Sequence, residues 1–255
     1  MIEIKNFYDN DDIQILDSKG NIKIIEYKRD LSCNYATAMA EYYAAQMNIR
    51  KRQAVIELNG DTFITSAGAM QWIAGDIEVA TNVKGIGDFF GKALKGAATN
   101  ESAIKPKYKG SGTLVLEPTY KYLLIEDLNN WGREGLVVED GMFLGCDGSV
   151  EPKVVAKANL SSAVLGNEGL FNCCLVGRGH VILESPVPRE ELIEIVLNND
   201  VVKIDGSYAV CWSNSLTFTV ERTTKSLIGS AASGEGLVNV YRGTGRILLA
   251  PLINK

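Results

Sequence analysis

The sequence contains a single histidine, His180, among its 255 residues. One imidazole cannot build a histidine-rich metal site, and it would have to act alone as the base of a catalytic triad. His180 follows a Gly-x-Gly motif at the position that Thr113 and Arg246 hold after two similar motifs, which predicts an ordinary strand position. The chain also has no Cys-x-x-Cys pair, P-loop, EF-hand or kinase motif. We therefore expect no catalytic residue, no metal ligand and no cofactor, and an enzyme is the least favoured class.

Positive charge is scarce as well, with 26 lysines and arginines against 31 acidic residues and a net charge of −5. A nucleic-acid partner is disfavoured because phosphate neutralisation needs a basic face. No apolar run approaches the ~20 residues of a membrane span, and the N-terminus does not resemble a signal peptide. We expect a cytoplasmic protein whose five cysteines are reduced structural thiols.

A Gly-x-Gly motif followed by a strand-like run occurs three times. Successive motifs begin 67 and 66 residues apart, which predicts a supersecondary unit copied within the chain. A dinucleotide loop would need a helix after the glycines, whereas a strand follows each motif here. We interpret the glycines as structural turns where strands cross closely at a tight corner. They are Gly110, Gly112, Gly177, Gly179, Gly243 and Gly245.

The spacing also predicts how the chain is divided. Residues 1–50 form an N-terminal part with two short strands and a helix, and residues 51–255 form a β body. The related units of that body are about 51–120, 121–186 and 187–252.

Three turn dipeptides, Asn59-Gly60, Asp140-Gly141 and Asp205-Gly206, lie between strand-like runs. Both residues of such a dipeptide adopt positive φ readily, so each is predicted to close a two-residue hairpin. Turns at nearly regular intervals and very little helix are typical of an all-β sandwich or barrel.

Two segments have helical periodicity instead. Residues 36–47 carry an apolar stripe and predict an N-terminal amphipathic helix packed on a sheet. Residues 85–98 predict a short amphipathic helix inserted between strands. Its apolar side could contact a membrane surface, with its lysines near anionic head groups, or it could pack on the body or on a neighbouring subunit. The residues of this contact would be Ile86, Phe89, Phe90, Lys92, Leu94 and Lys95.

Four segments together resemble the mitochondrial-biogenesis family known as altered inheritance of mitochondria twenty-four, over roughly residues 35–252. Bacterial members resemble the trp RNA-binding attenuation protein in fold. The resemblance therefore implies duplicated β-sandwich units of a short double-stranded β-helix kind, assembled as rings or trimers. It also implies an association with membrane organisation in the fungal relative, but no catalytic residues. The four segments are 66–72, 83–90, 168–171 and 233–246.

These observations favour a non-enzymatic, oligomeric scaffold or binding protein, acting at a membrane surface or with a membrane-associated protein. A homo-oligomer, most simply a trimer, is expected because the terminal units of a repeat array leave open edges. The alternative is a small-molecule or nucleic-acid binding module that uses a groove between units.

Overall fold

The fold is described from a computed structural model, which describes residues 2–81, 105–156, 171–222 and 237–253. This part of the chain consists mostly of β-strands with one short α-helix, which confirms the predicted all-β class. The elements, numbered in chain order, are β1 (Ile13–Lys19), β2 (Ile22–Tyr27), α1 (Ala38–Gln46), β3 (Arg52–Thr65), β4 (Met70–Ala80), β5 (Lys107–Leu116), β6 (Tyr122–Asp127), β7 (Leu136–Val138), β8 (Phe143–Asp147), β9 (Val150–Ala156), β10 (Phe171–Gly177), β11 (His180–Ser185), β12 (Ile193–Asp205), β13 (Ala209–Ser213), β14 (Thr217–Arg222) and β15 (Leu237–Leu249).

The described strands form two antiparallel sheets. The first has the order β1-β2-β3-β8-β11-β6, with β5 beside β3 and β4 beside β5. The second has the order β12-β15-β13-β7-β10-β9, with β14 beside β15. Strands β1 and β2 of the predicted N-terminal part thus extend the first sheet, since β2 pairs with β3 from Ile22 opposite Ile56 to Glu26 opposite Arg52.

Each sheet curls around an apolar core of its own, and a third core joins the two sheets. Ile56 and Phe63 belong to the core of the first sheet, and Trp212 and Tyr241 to that of the second. The joining core takes residues from both sheets, including Ile64. The sheets are held together mainly by this shared apolar burial, which contributes roughly 25 cal/mol per Å².

The predicted hairpin at Asn59-Gly60 is wrong. Strand β3 runs through this dipeptide, and its pairing with β5 shows a register shift between Asn59 and Asp61. Gly60 has a φ of +80° and supplies the bulge. Strand β5 is long enough to pair on both sides of the bulge, so the chain does not reverse there.

The other two predicted hairpins are also wrong, although both turns are present. The turn at Asp140-Gly141 connects β7 with β8, which belong to different sheets. The turn at Asp205-Gly206 connects β12 with β13, and both of these strands pair with β15 rather than with each other. In each case the two strands that flank the turn pair with other strands and not with each other.

The glycines of the repeated motif do not share one environment. Gly110 and Gly112 lie inside β5, Gly177 ends β10, Gly179 precedes β11, and Gly243 and Gly245 lie inside β15. A Cβ atom on Gly112 would lie 2.1 Å from the carbonyl oxygen of Ala74, whereas the nearest atom to a Cβ on Gly243 is 3.6 Å away. Two backbones therefore approach closely at Gly112, and also at Gly177 of the second motif, where a Cβ would lie 2.4 Å from the carbonyl oxygen of Ser149, but not at Gly243.

The N-terminal helix is confirmed, but its predicted packing on a sheet is wrong. None of the side chains of α1 is buried. The physical reason is topological, because α1 connects β2 with β3 and these strands are adjacent and antiparallel. Such a connection lies at an end of the sheet rather than across its face. The inserted helix predicted at 85–98, with the contact residues named above, lies outside the described residues.

The cysteines permit a direct test of the predicted structural role. Cys146, Cys173, Cys174 and Cys211 are buried, and Cys33 is partly exposed. Burial raises the pKa of the Cys146 and Cys211 thiols well above the ordinary value. Since the thiolate is the reactive form, iodoacetamide at about pH 8 should label one thiol of the native protein. Mass spectrometry should find five labels after unfolding and almost none on a native Cys33→Ser variant; rapid labelling of several native thiols would contradict the burial.

Candidate functional site

The segment before β3 forms a helix for local reasons. Alanine is frequent in α1, and the side-chain oxygen of Asn34 accepts a hydrogen bond of 2.9 Å from the amide of Ala36 just before it. The helix stops where Asn48 adopts a left-handed φ of +59° and the amide of Ile49 bonds to the carbonyl of Ala44 at 2.9 Å. The loop preceding α1 is anchored by the Asp30–Lys51 ion pair, which with Ser32 lowers the pKa of Asp30 to about 2.

Most of the large side chains of α1 and of the segment before it are apolar and exposed. Tyr35 is 101% exposed and Met47 is 75% exposed. The one charged residue of the helix, Glu41, accepts a hydrogen bond of 2.8 Å from the Tyr120 hydroxyl and is thereby tied to the body. A helix with apolar side chains distributed around its axis is normally covered by another structure. We call this patch the α1 surface; it consists of Leu31, Tyr35, Met39, Tyr42, Tyr43 and Met47.

A cleft of about 470 Å³ adjoins the end of this helix. It lies where the curled first sheet brings its two edge strands, β1 and β6, near each other. Asn48, at the end of α1, connects the two features, because its carbonyl accepts hydrogen bonds from Arg52 at 3.0 Å and from the Tyr122 hydroxyl at 3.3 Å. We call it the Arg52 cleft.

Arg52 is the central residue of the cleft and is 1% exposed. Its Nη2 lies 2.7 Å from a carboxylate oxygen of Glu26, which is also buried. Its guanidinium carbon lies 3.9 Å from the centre of the Tyr122 ring. Glu26 accepts two further bonds, from Arg50 at 3.2 Å and from Gln14 at 2.9 Å. A buried ion pair of this kind survives only when hydrogen bonds compensate for the lost solvation of both charges.

The opposite wall of the cleft has its own paired charges. Glu126 accepts hydrogen bonds from the Trp131 indole at 3.1 Å and from Arg189 at 3.0 Å. The Lys19 ammonium donates to the carbonyl of Ile125 at 2.6 Å. These charged groups are therefore already bonded to other residues of the cleft walls, and a ligand would have to compete with these bonds.

The single histidine has a carboxylate neighbour, but none of the described residues is a nucleophile bonded to its ring. The His180 Nδ1 lies 3.3 Å from Asp147, whose carboxylate also accepts the backbone amide of His180 at 2.7 Å. The hydroxyl of nearby Ser149 instead donates to the carbonyl of Arg178 at 2.6 Å. A serine hydrolase needs a hydrogen bond between nucleophile and base, and Ser149 and His180 do not make one.

The described ranges contain no group of three or more His, Cys, Asp or Glu residues arranged to hold a metal ion. They also contain no helix with the length and apolar character of a membrane-spanning segment.

Sequence reasoning placed the candidate contact on residues 85–98 and missed both features described here. The α1 surface had a signal, since the predicted helix has a single charge and no polar side to face water. The buried pair had a weaker one, in that Glu26 follows Ile24 and Ile25 in an apolar run. Their pairing depends on the register of β2 with β3, which local sequence does not reveal.

Comparison with known proteins shows which family this chain resembles. Residues 45–252 match the family model described as Mitochondrial biogenesis AIM24. An uncharacterised protein of Streptococcus pyogenes serotype M6 is 26% identical over 202 residues, which cover 76% of this chain and 78% of that protein. A crystal structure of a Streptococcus pyogenes protein matches with a TM-score of 0.59 at 25% identity, covering 80% of this chain and 89% of that one. Most of α1 precedes the matched residues. Because the family model spans most of the chain, the protein belongs to the Mitochondrial biogenesis AIM24 family.

Proposed function

We propose that this protein is a non-enzymatic, oligomeric scaffold that binds a membrane surface through the α1 surface. The observation that carries the proposal is the exposure of six large apolar side chains on and beside a helix with one charge. Burying a large side chain fully is worth about 1.5–3 kcal/mol, so a few of them suffice for measurable membrane binding. An oligomer that presents several copies to one membrane would strengthen the binding by avidity.

The composition of the α1 surface favours a bilayer interface as the occupant. A helix of nine residues is about 14 Å long, far short of the ~30 Å hydrocarbon thickness, so it would lie in the interface. Tyrosine suits this depth because its ring is apolar and its hydroxyl remains hydrated. The surface itself carries no lysine or arginine, so binding through it should depend on apolar burial rather than on anionic lipid.

Vesicle flotation tests this proposal. The protein should float with neutral phosphatidylcholine vesicles and with anionic vesicles, and salt should change the result little. A Met39→Ser, Met47→Ser variant should bind about 10-fold or more weakly, since it removes two exposed side chains, each worth up to ~1.5–3 kcal/mol. Leu252→Ser, which changes a residue exposed to a similar degree outside α1, is the matched control and should bind normally.

The results also separate the two candidate membrane contacts. Binding that requires anionic lipid and is lost in a Phe89→Ser, Phe90→Ser variant would assign the contact to the 85–98 segment. Failure of the unchanged protein to float with either vesicle would refute the membrane part of the proposal.

The oligomeric part is supported by strand edges that remain open in the described chain. Among the described strands, β4 pairs only with β5, and β12 pairs only with β15. Open edges are normally covered, and a closed symmetric assembly covers them. We expect light scattering at micromolar concentration to give about three times the 27.7 kDa chain mass, and a stable monomer would contradict this part.

A small-molecule binding module is the second candidate, and the Arg52 cleft supports it. Its volume of about 470 Å³ lies within the range of ligand pockets. The charged groups described in its walls already bond to one another, which makes it the weaker proposal. Native mass spectrometry of protein purified without denaturants would favour this candidate if it found a stoichiometric small molecule that Arg189→Ala releases.

A further inference from the structure

Two strand pairings connect parts of the chain that lie far apart in sequence, and their hydrogen bonds have the same pattern. In the first, β3 pairs with β8. The amide of Ser66 donates to the carbonyl of Leu144 at 2.9 Å, and the amide of Gly148 donates to the carbonyl of Thr62 at 2.7 Å. Between these bonds, Phe63 lies opposite Asp147.

The second pairing repeats the first between β7 and β13. The amide of Glu139 donates to the carbonyl of Val210 at 3.0 Å, and the amide of Asn214 donates to the carbonyl of Gly135 at 3.0 Å. Between these bonds, Leu136 lies opposite Ser213. Donors and acceptors thus occupy corresponding positions in both pairings.

Strands β3 and β7 have a counterpart in the last part of the chain. Gly110, Gly177 and Gly243 hold the same place in the repeated motif, and Gly110 lies opposite Asp61 while Gly243 lies opposite Asp200. Counting on from Asp61 and Asp200, Phe63 therefore corresponds to Val202. The segment 201–205 of β12 is the counterpart of the edges that β3 and β7 use.

The counterpart of β8 and β13 lies in β4. The pairings of β4 with β5, of β8 with β11 and of β13 with β15 each contain one register shift. The shift lies next to Met70, Phe143 and Ala209, respectively. From these shifts, Ala74 corresponds to Asp147 and Ser213. Two corresponding edges therefore have no partner among the described strands. One is on β12, the counterpart of β3 and β7, and the other is on β4, the counterpart of β8 and β13.

We infer that these two edges pair with each other between copies of the chain, β12 of one protomer antiparallel to β4 of the next. The register of the two internal pairings places Val202 opposite Ala74, Lys203 opposite Ile73 and Ile204 opposite Trp72. This inference rests on the proposed oligomeric scaffold and names its contact. A second copy is the occupant because the chain already makes the same contact twice with itself. A contact between two different edges is head-to-tail, and closing it produces a ring.

Lys203 makes the contact between copies different from the two internal ones. Lys203 occupies the position of Ile64 and Val137, which are 4% and 5% exposed. Its aliphatic stem can cover apolar surface while the ammonium reaches water, and a lysine on an edge strand opposes indiscriminate pairing. The contact between copies is therefore weaker than the internal ones. Lys203→Val should lower the protein concentration at which the oligomer dissociates by about 10-fold.

A cysteine pair tests the register. Val202 and Ala74 correspond to pairs that lie between the cross-strand hydrogen bonds, where opposite Cα atoms are about 4.5 Å apart and a disulfide fits. Chains carrying Val202→Cys and chains carrying Ala74→Cys, both with Cys33→Ser, would be coexpressed and oxidised. We expect a covalent dimer on a non-reducing gel. The matched control replaces Ala74→Cys by Ile73→Cys, whose side chain points to the other face, and should give no dimer.

The outcomes separate this inference from the proposal beneath it. A stable monomer in light scattering would refute both. An oligomer without the Val202–Ala74 cross-link, or with equal cross-linking in the Ile73→Cys control, would refute the inference and leave the oligomeric scaffold standing. A chain with both Val202→Cys and Ala74→Cys that forms only a cross-linked monomer would show closure within one chain, which also overturns the inference. Lys203→Val, which changes an exposed side chain, gives an independent measurement, and unaltered dissociation would count against the contact.

Discussion

Replacing Glu26 by glutamine is expected to lower the free energy of unfolding by about 3–5 kcal/mol. The substitution retains the size of the side chain but leaves the guanidinium of Arg52, 1% exposed, without its carboxylate. Removing one partner of a buried pair costs this much because the remaining charge stays desolvated. For a chain of this length each 1 kcal/mol lowers the melting temperature by roughly 2–4 °C, so a decrease of about 6–20 °C is expected in calorimetry.

Glu184→Gln is the matched control for this prediction. Glu184 pairs with Lys121 at 2.7 Å, but half of the lysine side chain is exposed, and such pairs contribute about 1 kcal/mol or less. A Glu26→Leu, Arg52→Met double variant should recover much of the lost stability, because no isolated charge remains. Equal losses for Glu26→Gln and Glu184→Gln would show that the buried pair is not the cause. All variants should be compared at one protein concentration, since assembly adds to apparent stability.

Replacing Gly112 by alanine is expected to destabilise the fold by about 2–6 kcal/mol. The φ of Gly112 is +151°, and a Cβ would lie 2.1 Å from the carbonyl oxygen of Ala74 in β4. Backbone strain accounts for about 1–3 kcal/mol of the loss and the forced separation of β4 from β5 for about 1–3 kcal/mol more. Urea unfolding monitored by tryptophan fluorescence measures the change, because Trp72 lies on β4.

Gly243→Ala separates the two causes. Gly243 holds the first glycine position of the third motif and has a φ of +120°, but the nearest atom to its Cβ would be 3.6 Å away. It should therefore lose only the strain contribution of about 1–3 kcal/mol. Equal losses of unfolding free energy for Gly112→Ala and Gly243→Ala would mean that β4 and β5 can separate without a measurable loss of stability.

Some residues permit two backbone geometries, and their sequence does not decide between them. Asn59-Gly60 adopts positive φ readily, and this property serves a bulge as well as a hairpin turn. The choice depends on β5, a distant strand that pairs with β3 on both sides of the bulge. Gly112 and Gly243 likewise belong to the same sequence motif. The contact that each makes differs because it depends on the strand that lies opposite.

Features that depend on neighbouring residues could be read from the sequence by itself. Turns at nearly regular intervals and very little helical periodicity indicated the all-β class, and the apolar stripe over residues 36–47 located the helix at Ala38–Gln46. The scarcity of histidine likewise excluded a histidine-rich metal site. Four separated motifs pointed to the family that the match over residues 45–252 then confirmed.

Only the tertiary structure decided which surfaces are covered. Burial depends on what lies opposite a residue, and that partner is distant in sequence. Glu26 and Arg52 meet because β2 and β3 pair in one particular register. The apolar side chains of α1 remain exposed because the helix lies at an end of the sheet. Among the described strands, β4 and β12 each pair with a single neighbour, and local sequence patterns do not reveal such an open edge.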